Sequence, residues 1–190
     1  AELFIKKTKE TIEFTNQQAL TKENACDGIS LTSPQKTQKT IVLIANDETA
    51  NVLAGVIAEQ LDQNKYPLKK TVTTKGNIGF DITQIQVDDD VVVELSIDKH
   101  NQVNKDELKI TYGLFPGAEL GKSLACRSYQ ALSKRFDVFA MPVQPSQESL
   151  LTRNPNGAAI HIQLTAGEEA AATNNLSELA EVITDVLEQY

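Results

Sequence analysis

Gly157-Ala-Ala-Ile-His-Ile-Gln-Leu-Thr165 is a short apolar run held between turn residues, Asn154-Pro155-Asn156 before it and Ala166-Gly167 after it. A run of this length between turn signals reads as a central strand covered on both faces. Strand alternation places His161 and Gln163 on one face with Ala159 and Thr165, and turns Ile160, Ile162 and Leu164 the other way. A buried strand that carries an imidazole and an amide on one face must give both a partner, so a site is expected there. After the strand, Asn174, Asn175 and Ser177 introduce apolar residues at 176, 179, 180, 183, 186 and 187. That spacing predicts an amphipathic closing helix with Asn175 as its cap.

The rest of the chain repeats this alternation. Thr40-Ile-Val-Leu-Ile-Ala45 is a continuous β-branched run, expected as a central parallel strand. Asn46-Asp-Glu-Thr49 follows it, and apolar residues at 52, 53, 56, 57, 58 and 61 then take up a helical period. In sheets of this kind ligands bind at the carboxyl ends of the strands, where Asp47 and Glu48 stand. The same two residues also suit a bland role, capping the helix and complementing its dipole.

Val91-Val-Val-Glu-Leu-Ser-Ile97 is the second strong strand, with Val92, Glu94, Ser96, Asp98 and His100 on one face. Leu108 to Tyr112 reads as a third, and Ala118 to Arg135 as a helix with Lys134 and Arg135 at its C-terminal pole. Lys70–Thr74, Gly79–Ile82 and Asp137–Met141 are weaker strand candidates, and Pro145 to Arg153 a loop or short helix. Asp88-Asp-Asp90 is a turn of like charges whose ordinary role is a solvated surface. Alternating strands and helices predict an α/β three-layer sandwich with a mostly parallel sheet, one domain over residues 39–190. Residues 1–38 are polar and form an N-terminal segment or linker, with Phe4-Ile5 and Ile12-Glu-Phe14 as candidate edge strands.

Composition narrows the functions. At 190 residues with 41% hydrophobic and 23% charged residues the chain can build one substantial core. A net charge of −8 and the lack of a dense basic patch argue against binding nucleic acid or an anionic membrane. No apolar run approaches the roughly 20 residues of a membrane span. The sequence begins at Ala1 and its single Met is Met141, as expected of a processed or truncated product. Its two cysteines, Cys26 and Cys126, match no zinc spacing. In an exported protein they can bridge and tie the N-terminal segment to the domain; in the cytosol they stay thiols.

Several motif chemistries find no support. The first strand is followed by no glycine-rich phosphate loop, no Gly-x-Ser-x-Gly elbow occurs, and Cys126 falls mid-helix, a core position more than a reactive one.

From Thr40 to Tyr190 the order of parts resembles the zinc-dependent N-acetylmuramoyl-L-alanine amidases, which cut the peptide stem from peptidoglycan glycan. In that family the first strand ends in a zinc-binding His and the next helix opens with a ligand Glu. A later Ser-Ile-His strand supplies a second His, and a strand with a catalytic Glu precedes the terminal helix. Ile41–Ala45 falls on the first strand, Asn51-Val52 on the helix start and Ser96-Ile97-Asp98 on the second His motif. Ser123-Leu124-Ala125 falls on the following helix and Ala159–Gln163 on the catalytic strand.

The departures fall on the chemistry. Asp47 or a neighbour replaces the first His, Glu48 or Thr49 falls at the ligand Glu, Asp98 replaces the second His, and Gln163 the catalytic Glu. An amide cannot accept a proton from water as a carboxylate does, so Gln163 cannot serve as general base. Carboxylates in place of imidazoles favour Mg²⁺ or Ca²⁺ over zinc.

A second arrangement uses the two histidines. If their strands are neighbours, Asp47, Glu48, Asp98, His100 and His161 can converge at the carboxyl edge and hold a divalent metal. The resemblance together with these departures implies a non-catalytic, extracytoplasmic, amidase-like envelope module without a cofactor, which binds or scaffolds peptidoglycan or envelope proteins. The alternatives are an active metal-dependent amide hydrolase with altered ligands, His161 and Gln163 lying at its catalytic strand, and an unrelated α/β domain.

Overall fold

A computed structural model of the chain describes residue 26 and residues 39–63, 68–74, 91–99, 103–113, 118–146 and 157–190. The elements are β1 (Lys39–Ala45), α1 (Glu48–Gln63), β2 (Leu68–Thr74), β3 (Val91–Lys99), β4 (Glu107–Gly113), α2 (Ala118–Arg135), β5 (Phe139–Ala140), β6 (Gln144–Ser146), β7 (Ala158–Ala166) and α3 (Leu176–Gln189). The candidate strands at 4–5, 12–14 and 79–82, the Asp88–Asp90 turn and His100 lie outside the described residues.

The strands form one sheet in the order β2-β1-β3-β7-β4-β5, with β6 also on β4. β2, β1, β3 and β7 run parallel, as the continuous apolar runs of β1, β3 and β7 predict for those three. The break comes at β4, which lies antiparallel to β7, while β5 and β6 run parallel to β4. Chain length explains it. β3 ends at Lys99 and β4 begins at Glu107, a connection too short for the helical crossover that a parallel partner needs. The chain therefore passes the end of β7 and re-enters the sheet from the same edge.

One apolar cluster joins Ile41, Leu43, Val91, Val93, Leu95, Ile160, Ile162, Leu164, Leu108 and Ile110 of the sheet to buried residues of all three helices: Leu53 and Ile57, Leu124 and Leu132, Leu179 and Ile183. Each large aliphatic side chain removed from water there contributes roughly 1.5–3 kcal/mol. Among the described residues the helices thus pack on one face only, giving two layers; the second helical layer of the expected sandwich is not among them. The opposite face of β1, β3 and β7 carries Val42, Ile44, Val92, Glu94, Ala159 and His161, all of them buried.

At the carboxyl edge of the sheet the chain between β7 and α3 is fixed by a residue of low sequence prominence, Asp106. Its side chain is fully buried, and its carboxylate accepts backbone N–H groups of Gly167 at 2.8 Å and of Ala172 and Thr173 at 2.9 Å. Glu168 and Glu169 N–H donate to the carbonyls of Val103 and Asn104. Gly167 is required by this packing, because a Cβ there would sit 2.4 Å from the Lys105 carbonyl carbon. Ala170 adopts φ 26°, a left-handed conformation that costs a non-glycine residue of order 1 kcal/mol or more.

α3 begins after Asn175, as its pattern predicts, but the Asn175 side chain does not cap it in the usual way. Its amide donates instead to Glu178 Oε2 at 2.6 Å. Cys26 and Cys126 are joined in a disulfide with Cα atoms 5.4 Å apart, spanning 100 positions of sequence. Cys126 is fully buried on α2. Among the described residues no helix is long and apolar enough to cross a membrane.

Candidate functional site

The face of β7 that carries the imidazole and the amide lies between β3 and β4. In register, Glu94 of β3 stands beside His161, Ser96 beside Gln163, and Thr111 of β4 on the other side of His161. β1 lies on the far side of β3 and delivers Asn46 just past its end. Five polar side chains, Asn46, Glu94, Ser96, His161 and Gln163, are thereby brought together from two neighbouring strands and the turn after β1, with Thr111 of β4 beside them.

They bond to one another. Asn46 Nδ2 donates to Glu94 Oε1 and to Ser96 Oγ, each at 2.7 Å. Ser96 Oγ lies 2.8 Å from His161 Nε2, and Gln163 Nε2 lies 2.9 Å from His161 Nδ1. With the amide donating, Nδ1 accepts, Nε2 carries the proton, and the ring donates to Ser96. The opposite tautomer needs the amide oxygen turned toward Nδ1–H. Either way both ring nitrogens are used within the network. Glu94 is 1% exposed and His161 4%, so water cannot easily take over any of these bonds. Glu94 Oε2 stands 3.9 Å from His161 Nδ1.

Ser96, His161 and Glu94 follow the order of a hydrolase triad, but the geometry does not. The carboxylate is beyond hydrogen-bond length from the ring, and Gln163 occupies the position from which it would orient the ring. The arrangement is a set of largely buried groups bonded to one another, in which Asn46 Oδ1 and Thr111 Oγ1 take no hydrogen bond among the described residues.

The other expected site residues are placed differently. Asp47 caps α1 by accepting the Ala50 N–H at 2.8 Å, and its second oxygen accepts the Ile97 N–H at 2.7 Å. The carboxylate thus ties the start of α1 to β3, with both oxygens committed to backbone. Glu48 lies exposed in the first turn of α1, and Asp98 is exposed near the end of β3 opposite Thr165. His100 lies outside the described residues. Among the described residues no group of three or more His, Cys, Asp or Glu side chains is gathered as a metal would need.

Glu94 and Asn46 are the members of this cluster that the sequence did not single out. Glu94 carried a signal, since it is the one ionisable residue inside the apolar run Val91–Ile97. Asn46 carried none, because an asparagine after a strand is ordinary turn chemistry.

A separate cavity of about 390 Å³ opens at the same edge on the helical face of the sheet. It is lined by Ile97 and Lys99 of β3, Thr49 of α1, Ala166 of β7 and the loop residues that Asp106 holds.

No family model and no curated protein matches this sequence. Solved structures do resemble the fold. The catalytic domain of CwlV, an N-acetylmuramoyl-L-alanine amidase from Bacillus (Paenibacillus) polymyxa var. colistinus, superposes with a TM-score of 0.64 at 12% identity, over 80% of this chain and 97% of that one. The CwlD amidase of Clostridioides difficile, solved in complex with the GerS lipoprotein, gives 0.51 at 10% identity over 80% and 98%. A bacteriophage poly-gamma-glutamate hydrolase gives 0.52 at 9% identity over 82% and 86%. The chain is therefore amidase-like in fold.

Zinc is the metal that the sequence resemblance implies, and two of the residues expected near it are already engaged. His161 uses both ring nitrogens, and Asp47 uses both oxygens on backbone. A hydrolytic zinc needs three protein ligands with an open position for water.

Proposed function

We propose that this chain is a non-catalytic module of the cell envelope that keeps the amidase-like frame and uses it to bind peptidoglycan or an envelope protein. One observation carries the reading: the position on β7 expected for a catalytic Glu holds the amide of Gln163, hydrogen-bonded to His161, whose other ring nitrogen meets Ser96. A neutral amide does not take up a proton at any ordinary pH. The disulfide supports an oxidising, extracytoplasmic setting, since such bonds are rare in the reducing cytosol. The lipoprotein complex of the similar CwlD amidase gives a precedent for a protein partner on this frame.

The protein, supplied with Zn²⁺ or Mg²⁺ and mixed with purified insoluble peptidoglycan, is expected to sediment with the polymer and to release no stem peptides into the supernatant. Chromatography of the soluble fraction with mass detection reads both. Metal-dependent release of stem peptides would replace this reading with an active hydrolase of altered ligands.

A further inference from the structure

From the cavity at the carboxyl edge we infer a binding site for a small zwitterion, a molecule of amino-acid to dipeptide size that carries a carboxylate and an ammonium group. It lies on the helical face of the sheet, opposite the face that carries His161, and the inference does not rest on the amidase-like reading.

Three features converge on it. The volume, about 390 Å³, falls inside the range of small-ligand sites. The place, beyond the carboxyl ends of parallel strands, is where open α/β sheets hold ligands. The walls are built in advance: the Asp106 carboxylate fixes the loop from Gly167 to Thr173 through backbone N–H groups, and Ala170, which lines the cavity, is held at positive φ. Little conformational entropy remains to be lost on that wall when a ligand enters.

The chemistry of the lining selects the class. Lys99 and Glu168 both line the cavity, yet they form no ion pair with each other, and among the described residues neither has a partner of opposite charge. Opposite charges that share a cavity without neutralising one another suit a ligand with the reverse pair, its carboxylate toward Lys99 and its ammonium toward Glu168. Ile97, Ala166 and Ala170 supply the apolar part of the lining.

The test is an NMR titration of the whole chain with three probes: alanyl-alanine, its N-acetylated form without the ammonium, and its C-terminal amide without the carboxylate. Saturable amide shifts confined to Thr49, Lys99 and residues 166–174 are expected with alanyl-alanine. Each blocked form should bind about tenfold more weakly or worse. Lys99→Ala should erase the preference for the free carboxylate, and Glu168→Gln the preference for the free amine; both residues are exposed, so both variants should fold as the parent does. Absence of saturable shifts at 10 mM probe, or binding that neither blocking group nor either substitution changes, overturns the inference.

Discussion

Replacing Asp106 with alanine is expected to lower the free energy of unfolding by about 4 kcal/mol. The argument is one of partners. Asp106 is fully buried, and its two oxygens receive the N–H groups of Gly167, Ala172 and Thr173. Alanine leaves those three donors without an acceptor in a place where water has little access, each at a cost of about 1–3 kcal/mol before the loop relaxes. Asp106→Asn keeps one oxygen and introduces an N–H₂ that faces other donors, so about half the loss is expected. Urea unfolding followed by circular dichroism measures both. A loss under 1 kcal/mol for the alanine variant would show that the loop from Gly167 to Thr173 is held by something else.

Opening the Cys26–Cys126 bridge is the second large effect. The bond closes a loop of 100 positions, and Cys26 packs in the main apolar cluster. Restriction of the unfolded chain by a cross-link over a loop of that size is worth about 4.7 kcal/mol at most, and bridges typically deliver about 2–4 kcal/mol. The double replacement Cys26→Ala and Cys126→Ala, which buries no new polar atom, is expected to cost about 3 kcal/mol. Unfolding the parent with and without a reductant should give a similar difference. Equal midpoints in both conditions would mean that the bridge contributes nothing to the folded state in solution.

Most of the frame was legible because burial leaves a plain mark on sequence. The apolar runs at 41–45, 91–97 and 158–164 are parallel strands, and the helical spacings at 52–61, 120–132 and 176–187 are helices. Weaker segments were legible in part: Lys70–Thr74 falls within β2, and Asp137–Met141 contains the short β5. The segment opening at Pro145, read as a loop or short helix, includes the end of β6, where pairing with β4 supplies what local propensity does not.

The direction of β4 was not legible, since residues 108–112 carry the same pattern whether they run up or down. It follows from the length of the preceding connection. The role of Asp106 was not legible for a similar reason. An aspartate before a strand is unremarkable in sequence, and its three amide donors come from positions some 60 residues later.

The site divides along the same line. Alternation along β7 correctly separated His161 and Gln163 from Ile160, Ile162 and Leu164. What alternation could not supply was the register with β3, which makes Glu94 and Ser96 their neighbours. Nor could it show that Asp47, legible as either cap or ligand, gives one oxygen to the Ala50 N–H of α1 and the other to the Ile97 N–H of β3.

The proposal that an amidase-like frame is kept here without amidase chemistry is tested most directly by zinc content. The protein is equilibrated with excess Zn²⁺, freed of unbound ion by dialysis and analysed for metal per chain, beside a His161→Ala variant. Zinc well below one equivalent, and the same in both proteins, is the result this account predicts. One equivalent in the parent that disappears with His161 would contradict it, because the imidazole would then hold a metal rather than the serine and amide beside it.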